Sequence, residues 1–173
     1  MLRRVWQFLE RPRHEKVRSL YFRWARVFPN IPIPIRLPFG GWWLLRNDVC
    51  SHAILAGSFE NEESRFVGKI LRPGMTVLDI GAHHGYYTLL ASKKVGPMGR
   101  VISFEPSTRE RHFLRRHLWL NWCENVTVES AALGSSQGEV EFFVVEGTES
   151  GCNSLRPPIV TEPVRICRVP VQR

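Results

Sequence analysis

The sequence lacks several features that would assign it at once to a common class of protein. It has no run of about 18 apolar residues, so no transmembrane helix is predicted. Its four cysteines are scattered without a C-x-x-C spacing, which argues against a zinc ribbon or a disulfide framework. The N-terminus has no uninterrupted apolar core followed by a small-residue cleavage site, so no signal peptide is indicated. Together these absences favour a cytoplasmic protein with reduced thiols.

Acidic residues are scarce near the N-terminus. Residues 1–46 contain ten Lys or Arg and two Glu, a net charge of +8, whereas residues 47–173 carry fourteen charges of each sign. We therefore divide the chain into a basic amphipathic arm with a Pro-rich connector, residues 1–34, and a domain with nearly balanced charge, residues 35–173. Apolar residues at helical spacing on both sides of Pro12 predict two short helices in the arm.

The apolar stripe of the arm has three interpretations. It can pack on its own domain or on a second subunit, so a homo-oligomer is left open. It can instead lie on an anionic membrane surface, which would make the protein peripheral to the membrane, or it can meet nucleic acid. Packing on the protein itself is the favoured interpretation, the membrane surface comes second, and nucleic acid is the least favoured.

The domain contains a predicted strand, a glycine turn and a helix in direct succession. The strand delivers Asp79 to a turn bounded by Gly81 and Gly85, and a helix is predicted over Tyr86–Val95. Such a junction directs backbone N–H groups and the helix dipole at a bound nucleoside. The apolar residues of the strand, all expected to be buried, are Met75, Val77, Leu78 and Ile80.

A second predicted strand, Arg100–Glu105, ends in another acid. Glu105 follows Gly81 by 24 residues, near the roughly 20-residue offset at which an acid can bind a ribose diol. The turn lacks the closely spaced glycines that bring a backbone against pyrophosphate, because His83 and His84 occupy it. An acid also precedes its first glycine. These features favour a cationic, phosphate-free compound such as S-adenosylmethionine over NAD.

Several segments of the domain, taken in order, resemble the FkbM family of S-adenosylmethionine-dependent methyltransferases. They are Val77–Gly85, Gly99–Pro106, Leu120–Asn121, Ala131–Gly134 and Gly151–Leu155. The resemblance implies an α/β class I methyltransferase fold, a Rossmann-like doubly wound sheet. It also implies S-adenosylmethionine as cofactor and O-methylation of a small-molecule or saccharide acceptor.

The predicted cofactor-binding residues are Asp79, Gly81, Ala82, Gly85, Glu105 and Ala132. Ala132 is expected beside the adenine by analogy with the family. Glu60 and Glu62 precede the first strand of the sheet and are weaker candidates for the methionine end. No metal site is predicted and no catalytic base is assigned, since His83 and His84 fit a role in shaping the turn better than proton transfer.

The family pattern leads us to expect an acidic D-x-E-G-type segment that the sequence does not contain. We therefore expect a C-terminally truncated domain whose incomplete sheet has an exposed apolar edge. A noncatalytic nucleoside-binding module is one alternative to the enzyme. A nucleic-acid methyltransferase is the second, and the absence of an N-P-P-Y-type motif disfavours it.

The remaining segments give further expectations for the fold. A β-hairpin is expected from Phe39–Arg46 and Val49–Ser51, with its paired tryptophans in the core or stacked on a sugar. Helices are expected over Glu60–Leu71, with Phe66 and Ile70 facing inward, and from Thr108 to about Trp122, with His112 and His117 on the surface or partly packed. Strands are expected at Val126–Val128, Glu139–Val145 and Val164–Val171.

Overall fold

The computed structural model describes residues 13–28 and 31–173, so the first of the two arm helices lies outside the described residues. The helices are α1 (Arg13–Val27), α2 (Val49–Ala56), α3 (Asn61–Ile70), α4 (Tyr86–Val95) and α5 (Thr108–Leu120). The strands are β1 (Ile33–Arg36), β2 (Trp42–Leu45), β3 (Thr76–Ile80), β4 (Arg100–Phe104), β5 (Val126–Glu129), β6 (Ala132–Leu133), β7 (Gly138–Val145) and β8 (Val164–Gln172). Within these ranges, no helix is long and apolar enough to cross a bilayer.

A parallel sheet with strand order β3-β4-β5 is the centre of the domain. Its register pairs Asp79 with Ser103 and Phe104 with Glu129. Parallel neighbours need a crossover, and α4 and α5 supply the two crossovers here. The expected strand–turn–helix junction and the helix over Tyr86–Val95 are therefore confirmed, and the arrangement is the Rossmann-like α/β fold expected from the sequence.

A second sheet has the strand order β6-β8-β7. Strands β7 and β8 are antiparallel along their whole length, from the Gly138–Val171 pair to the Val145–Val164 pair. The expected β pair near the C-terminus is therefore confirmed. Strand β6 joins this sheet in parallel through Ala132, whose partner is Val171.

The predicted hairpin was wrong in its partner strand. Strand β2 pairs with β1, with Ile35 opposite Trp43, and the segment after Asp48 forms helix α2 instead of a strand. Asp48 explains the difference, because its side-chain Oδ1 accepts a hydrogen bond from the Ser51 amide at 2.7 Å and caps the helix. The expected hairpin placed Asp48 between its two strands, where a helix cap was not predicted.

The main core lies where α1, the β1–β2 hairpin, α4 and α5 meet. Trp43, Leu89 and Leu114 are fully buried there. The Trp43 ring stacks on His117 with ring centroids 4.0 Å apart, which confirms the core interpretation of this tryptophan. Trp42 is partly exposed, and the Arg36 guanidinium lies 4.9 Å from its ring centroid.

His117 was expected at the surface or partly packed, and that expectation was wrong, because the side chain is fully buried. Both of its ring nitrogens have backbone partners. The Leu44 amide donates to Nε2 at 3.1 Å, and Nδ1 lies 2.7 Å from the His84 carbonyl oxygen. A neutral imidazole satisfies one acceptor role and one donor role, so its burial leaves no polar atom unpaired. His112 is exposed, as expected.

Strand β3 is an edge strand, and its apolar residues were wrongly expected to be buried. Exposure alternates along it, so Val77 packs against α4 while Leu78 and Ile80 are 56% and 63% exposed. Met75, just before the strand, is also exposed. A parallel strand is fully buried only when both faces of the sheet are covered, and the described residues leave one face of β3 uncovered.

Helix α3 departs from expectation in the same way. Phe66 and Ile70 were expected to face inward, but they are 63% and 49% exposed. Their helical spacing correctly predicts that they share one face. That face is not covered by the described residues, so the prediction of the helix is confirmed and the prediction of its buried side is wrong.

Candidate functional site

The glycine turn between β3 and α4 is held against the carboxyl end of β4 by its own backbone. The amides of Gly81 and Ala82 both donate to the Phe104 carbonyl, at 2.9 and 3.0 Å. Gly81, His83 and Gly85 have positive φ angles of 78°, 50° and 89°. Such values are easy for glycine and uncommon for histidine, so His83 is held in place by its surroundings.

Glu105, the first residue after β4, fixes the next part of the turn. Its Oε2 accepts from the His83 amide at 2.7 Å and its Oε1 from the Ser107 amide at 2.8 Å. The side chain is 4% exposed. Burial raises the pKa of this carboxyl to about 7, although the two amide hydrogen bonds oppose the shift. Three successive amides of the turn, at residues 81, 82 and 83, are therefore already bonded within the protein.

Asp79 lies near the end of the neighbouring strand and is bonded to helix α4. The Thr88 hydroxyl donates to Asp79 Oδ2, and the same hydroxyl lies 3.0 Å from the Ser103 hydroxyl. Burial raises the pKa of Asp79, and the hydrogen bond from Thr88 acts in the opposite direction. Asp79 pairs with Ser103 in the sheet register, and Glu105 directly follows strand β4. The two predicted acids therefore lie at the carboxyl ends of adjacent parallel strands, on the same edge of the sheet.

Two adjoining cavities open at this edge. The larger, of about 550 Å³, is lined by Asp79, Gly81 and Ala82 together with residues of α2, α4 and the loop after β7. The smaller, of about 200 Å³, is lined by Gly81, Glu105 and Ala132. The residues that line both cavities are Gly81, His83, Ser150 and Gly151. Carboxyl ends of parallel strands are the usual ligand sites of open α/β sheets.

Three carboxylates line the larger cavity, and none of its described lining residues is Lys or Arg. They are Glu60, Asp79 and Glu149. Glu60 accepts a hydrogen bond of 2.5 Å from the Tyr87 hydroxyl, and its backbone has φ 38° and ψ 48°, a left-handed conformation that costs a non-glycine residue of order 1–3 kcal/mol. The larger cavity therefore combines negative charge with a wall of aromatic rings from Phe59, Tyr86 and Tyr87.

Polar side chains of α5 and of the loop after β7 form a network with His84 of the turn. His84 Nε2 lies 2.8 Å from Glu110 Oε2, and Arg109 bonds the other Glu110 oxygen at 2.6 Å. Asn153, in the loop after β7, also reaches Glu110 at 3.3 Å. Burial alone would raise the pKa of Glu110, but the hydrogen bond and charge of His84 and the hydrogen bond from Arg109 outweigh it and lower the pKa to about 2.

His83 has the other imidazole of the turn, and its environment does not favour a proton acceptor. Its Nε2 lies 2.9 Å from the Ser150 hydroxyl, and the ring stacks on His84 at 3.8 Å between centroids. Burial and the neighbouring His84 lower the pKa of His83 to about 3. A base of that strength is a poor match to chemistry near neutral pH. The geometry therefore favours the turn-shaping interpretation of both histidines.

Among the described residues, His83, His84 and Glu110 have potential metal-ligating atoms within 4.8 Å of one another. The His84 and Glu110 atoms are a hydrogen-bonding distance apart, however, and His83 is bonded to Ser150. This arrangement fits a hydrogen-bonded pair of His84 and Glu110 that supports the turn. The absence of a metal site stays a prediction.

Residues 79–163 match the family model described as the methyltransferase FkbM domain. Residues 79–163 are an FkbM methyltransferase domain. The matched range begins at Asp79 and includes both acids, the glycine turn and the loop that carries Ser150. It confirms the family resemblance stated from the sequence, including the methyltransferase fold that this resemblance implied.

Curated relatives of this FkbM domain include two enzymes named ribosomal RNA large subunit methyltransferase E. The protein from Oleidesulfovibrio alaskensis is 39% identical over 71 residues, which cover 36% of this chain and 34% of the relative. The protein from Nitratidesulfovibrio vulgaris strain DP4 is 37% identical over 83 residues, covering 48% of this chain and 39% of the relative. The chain thus spans well under half the length of these relatives. Among solved structures, an S-adenosylmethionine-dependent methyltransferase from Agrobacterium tumefaciens is 16% identical, with a TM-score of 0.46 over 58% of this chain and 32% of its own.

The FkbM domain brings five of the six predicted cofactor-binding residues to the two cavities. Asp79 and Ala82 line the larger, Glu105 and Ala132 line the smaller, and Gly81 lines both. Gly85 lies outside both linings and caps the N-terminus of α4 instead. The cofactor-binding roles themselves stay predictions, but the positions of these side chains are compatible with them.

Two residues that contact the glycine turn were not predicted, because they lie far from it along the chain. Ser150 and Glu110 contact the turn from 67 and 26 residues away, so no local pattern could connect them to it. Glu60 was named as a weaker candidate and lines the larger cavity, whereas Glu62 is exposed on α3 beside Arg65. Glu60 was named because it precedes the first strand of the sheet, from which helix α3 separates it.

Proposed function

We propose that this FkbM domain binds S-adenosylmethionine across the two adjoining cavities and transfers its methyl group to a hydroxyl of a saccharide or other small molecule. One observation supports this proposal more strongly than any other. Two acids on adjacent parallel strands, Asp79 and Glu105, line separate cavities that share the wall formed by the glycine turn. An elongated ligand with a ribose at one end and an ammonium at the other fits such a pair.

The hydrogen bonds of the turn support a ligand without phosphate. A pyrophosphate site needs free backbone N–H groups, and here three successive turn amides already donate to Phe104 and Glu105. The Glu105 carboxylate also lies where it would repel an anion. The three carboxylates of the larger cavity, with no Lys or Arg in its described lining, suit a cation. The residues present therefore fit S-adenosylmethionine better than a dinucleotide.

Each part of the cofactor has residues suited to hold it. Glu105 would accept hydrogen bonds from the ribose hydroxyls, and Ala132 would leave room for the adenine. Asp79, with Glu60 beside it on the same cavity, would bind the ammonium group. When bound, S-adenosylmethionine supplies a methyl group already activated on a sulfonium.

The chain's own contribution is to orient the reactants and exclude water. The larger cavity has an aromatic wall that suits the apolar face of a sugar ring, with carboxylates beside it that can accept hydrogen bonds from hydroxyls. Correct placement of donor and acceptor supplies much of the rate in such a transfer. No residue is assigned as catalytic base, because His83 has a lowered pKa and His84 is bonded to Glu110.

Isothermal titration calorimetry on the chain with S-adenosylmethionine and S-adenosylhomocysteine tests the binding proposal. We expect both to bind, and we expect Glu105→Gln to weaken binding by about tenfold to a hundredfold, since a hydrogen bond to a charged group contributes about 1.5–3 kcal/mol. Glu141→Gln is the matched control, because Glu141 is exposed on β7. Absence of binding by the folded wild-type chain would refute the proposal.

A second candidate function is methylation of ribosomal RNA. The names of the curated relatives favour it, and so does the net charge of +8 on residues 1–46. Transfer of radiolabelled methyl groups to ribosomal RNA and to saccharide mixtures, measured side by side, separates the two acceptors. Binding of S-adenosylmethionine without transfer to either class would favour the noncatalytic nucleoside-binding module.

A further inference from the structure

Helix α1 has an exposed apolar stripe beside the face that anchors it. Tyr21 and Ala25 are buried in the core and fix the helix on the domain. The stripe consists of residues that are about half exposed or more: Val17 at 46%, Leu20 at 54%, Val27 at 66% and Phe28 at 46%, followed by Ile31 at 56%.

The positions of these residues place them side by side. Residues 17, 20, 24, 27 and 28 recur at the three- and four-residue spacing of one helix face. Trp24 is partly buried within this face, and its ring lies 5.6 Å from that of Phe28. Residues 21 and 25 follow the same spacing on the adjacent face, which explains why one row is buried and the neighbouring row is not. The internal packing predicted as one alternative therefore accounts for Tyr21 and Ala25 but leaves the stripe uncovered by the described residues.

The charge around the stripe indicates what covers it. Lys16 and Arg23 lie on the side of the helix opposite the anchoring face, and the Arg23 side chain is exposed. The whole excess of positive charge in the chain is contributed by residues 1–46, while residues 47–173 are neutral. An apolar row flanked by cations matches an anionic bilayer, in which lipid tails meet the apolar row and headgroups meet the cations.

We propose that the α1 stripe docks the domain on an anionic lipid surface, with the helix lying in the plane of the membrane. Most residues of the stripe are aliphatic, so the stripe suits acyl chains. These side chains have no polar group that could bind a nucleic-acid phosphate. Tyr21 and Ala25 hold the helix to the domain, so the cavities at the end of the sheet would be kept at a fixed distance from the membrane. This docking is independent of the cofactor proposal.

Vesicle flotation with the full chain tests the docking. We expect binding to vesicles of equal parts phosphatidylcholine and phosphatidylglycerol to exceed binding to phosphatidylcholine alone by about tenfold or more, since two or more cations contribute about fivefold each. Leu20→Glu and Val27→Glu should each reduce binding by about tenfold or more. Met98→Glu is the matched control, because Met98 is 88% exposed in the loop between α4 and β4, outside the stripe, and receives the same charge.

Arg23→Gln should weaken binding to the anionic vesicles by about fivefold and leave binding to phosphatidylcholine unchanged. Thermal melts followed by circular dichroism should show that the variants fold like the wild-type chain, since all the substituted side chains are exposed. Equal binding of wild type and Leu20→Glu would overturn the proposal. A dimer abolished by Leu20→Glu, or salt-dependent RNA binding without vesicle binding, would overturn it as well.

Discussion

Replacing Gly85 by alanine tests how the glycine turn between β3 and α4 is packed. Gly85 has φ 89°, its amide donates to the Ala82 carbonyl at 2.7 Å, and its carbonyl accepts from the Leu89 amide at 2.9 Å. A left-handed conformation costs a non-glycine residue about 1–2 kcal/mol. The new Cβ would also meet Cδ1 of Leu114, which is fully buried and cannot move aside freely.

The two costs of Gly85→Ala can be separated by a matched variant. Overpacking in a core costs about 1–3 kcal/mol, so we expect the free energy of unfolding to fall by about 2–5 kcal/mol in total. Gly74 has a similar φ of 83°, but nothing lies within 4 Å of a Cβ placed there. Gly74→Ala should therefore lower the free energy of unfolding only by the cost of the left-handed backbone, about 1–2 kcal/mol.

Urea unfolding, followed by circular dichroism, measures both variants. Adding Leu114→Val removes the atom that Gly85→Ala meets, so the double variant should be more stable than the sum of the two single changes predicts. If Gly85→Ala and Gly74→Ala destabilise the chain equally, the steric part of the reasoning is wrong. In that case the glycine would be required for its backbone angle alone.

Three further predictions concern the titratable groups of the site. Burial lowers the pKa of His117 to about 4, so the stability that its neutral form contributes should be complete above about pH 6.5 and be lost as the pH falls towards 4; urea unfolding that shows no loss over this range would contradict the assignment. Burial raises the pKa of Glu105 to about 7, so the affinity for S-adenosylmethionine should rise with pH through 7 as the carboxylate forms, and calorimetry on Glu105→Gln should show no such rise. Glu110→Gln should destabilise the fold by about 3–5 kcal/mol because it removes the buried carboxylate that bonds both His84 and Arg109, and a thermal melt equal to that of the exposed control Glu141→Gln would exclude this.

Local patterns were sufficient to predict the strand–turn–helix unit. The helix over Tyr86–Val95 has the bounds expected from the sequence, because Gly85 and Gly96 mark its two ends. The pair of strands near the C-terminus was found for a similar reason, since the apolar runs around Phe142 and Val169 are separated by a loop rich in Gly, Ser and Pro. Where the backbone itself requires a residue type, the sequence is informative.

The errors came from features that depend on tertiary neighbours. Leu78 and Phe66 are apolar residues in correctly predicted elements, yet they are exposed, because a pattern defines a face and does not say what covers it. The burial of His117 depends on the Leu44 amide and the His84 carbonyl, which lie 73 and 33 residues away. Contacts at such separations leave no periodic signal in the chain.

The loop that carries Ser150 and Gly151 acts as a partition between the two cavities, because these residues form part of both walls. A movement of this partition away from His83 would open both compartments together. A single ligand bound across both compartments would therefore be enclosed by this one loop. Its entry and release would then depend on one short segment and would not require a hinge between domains.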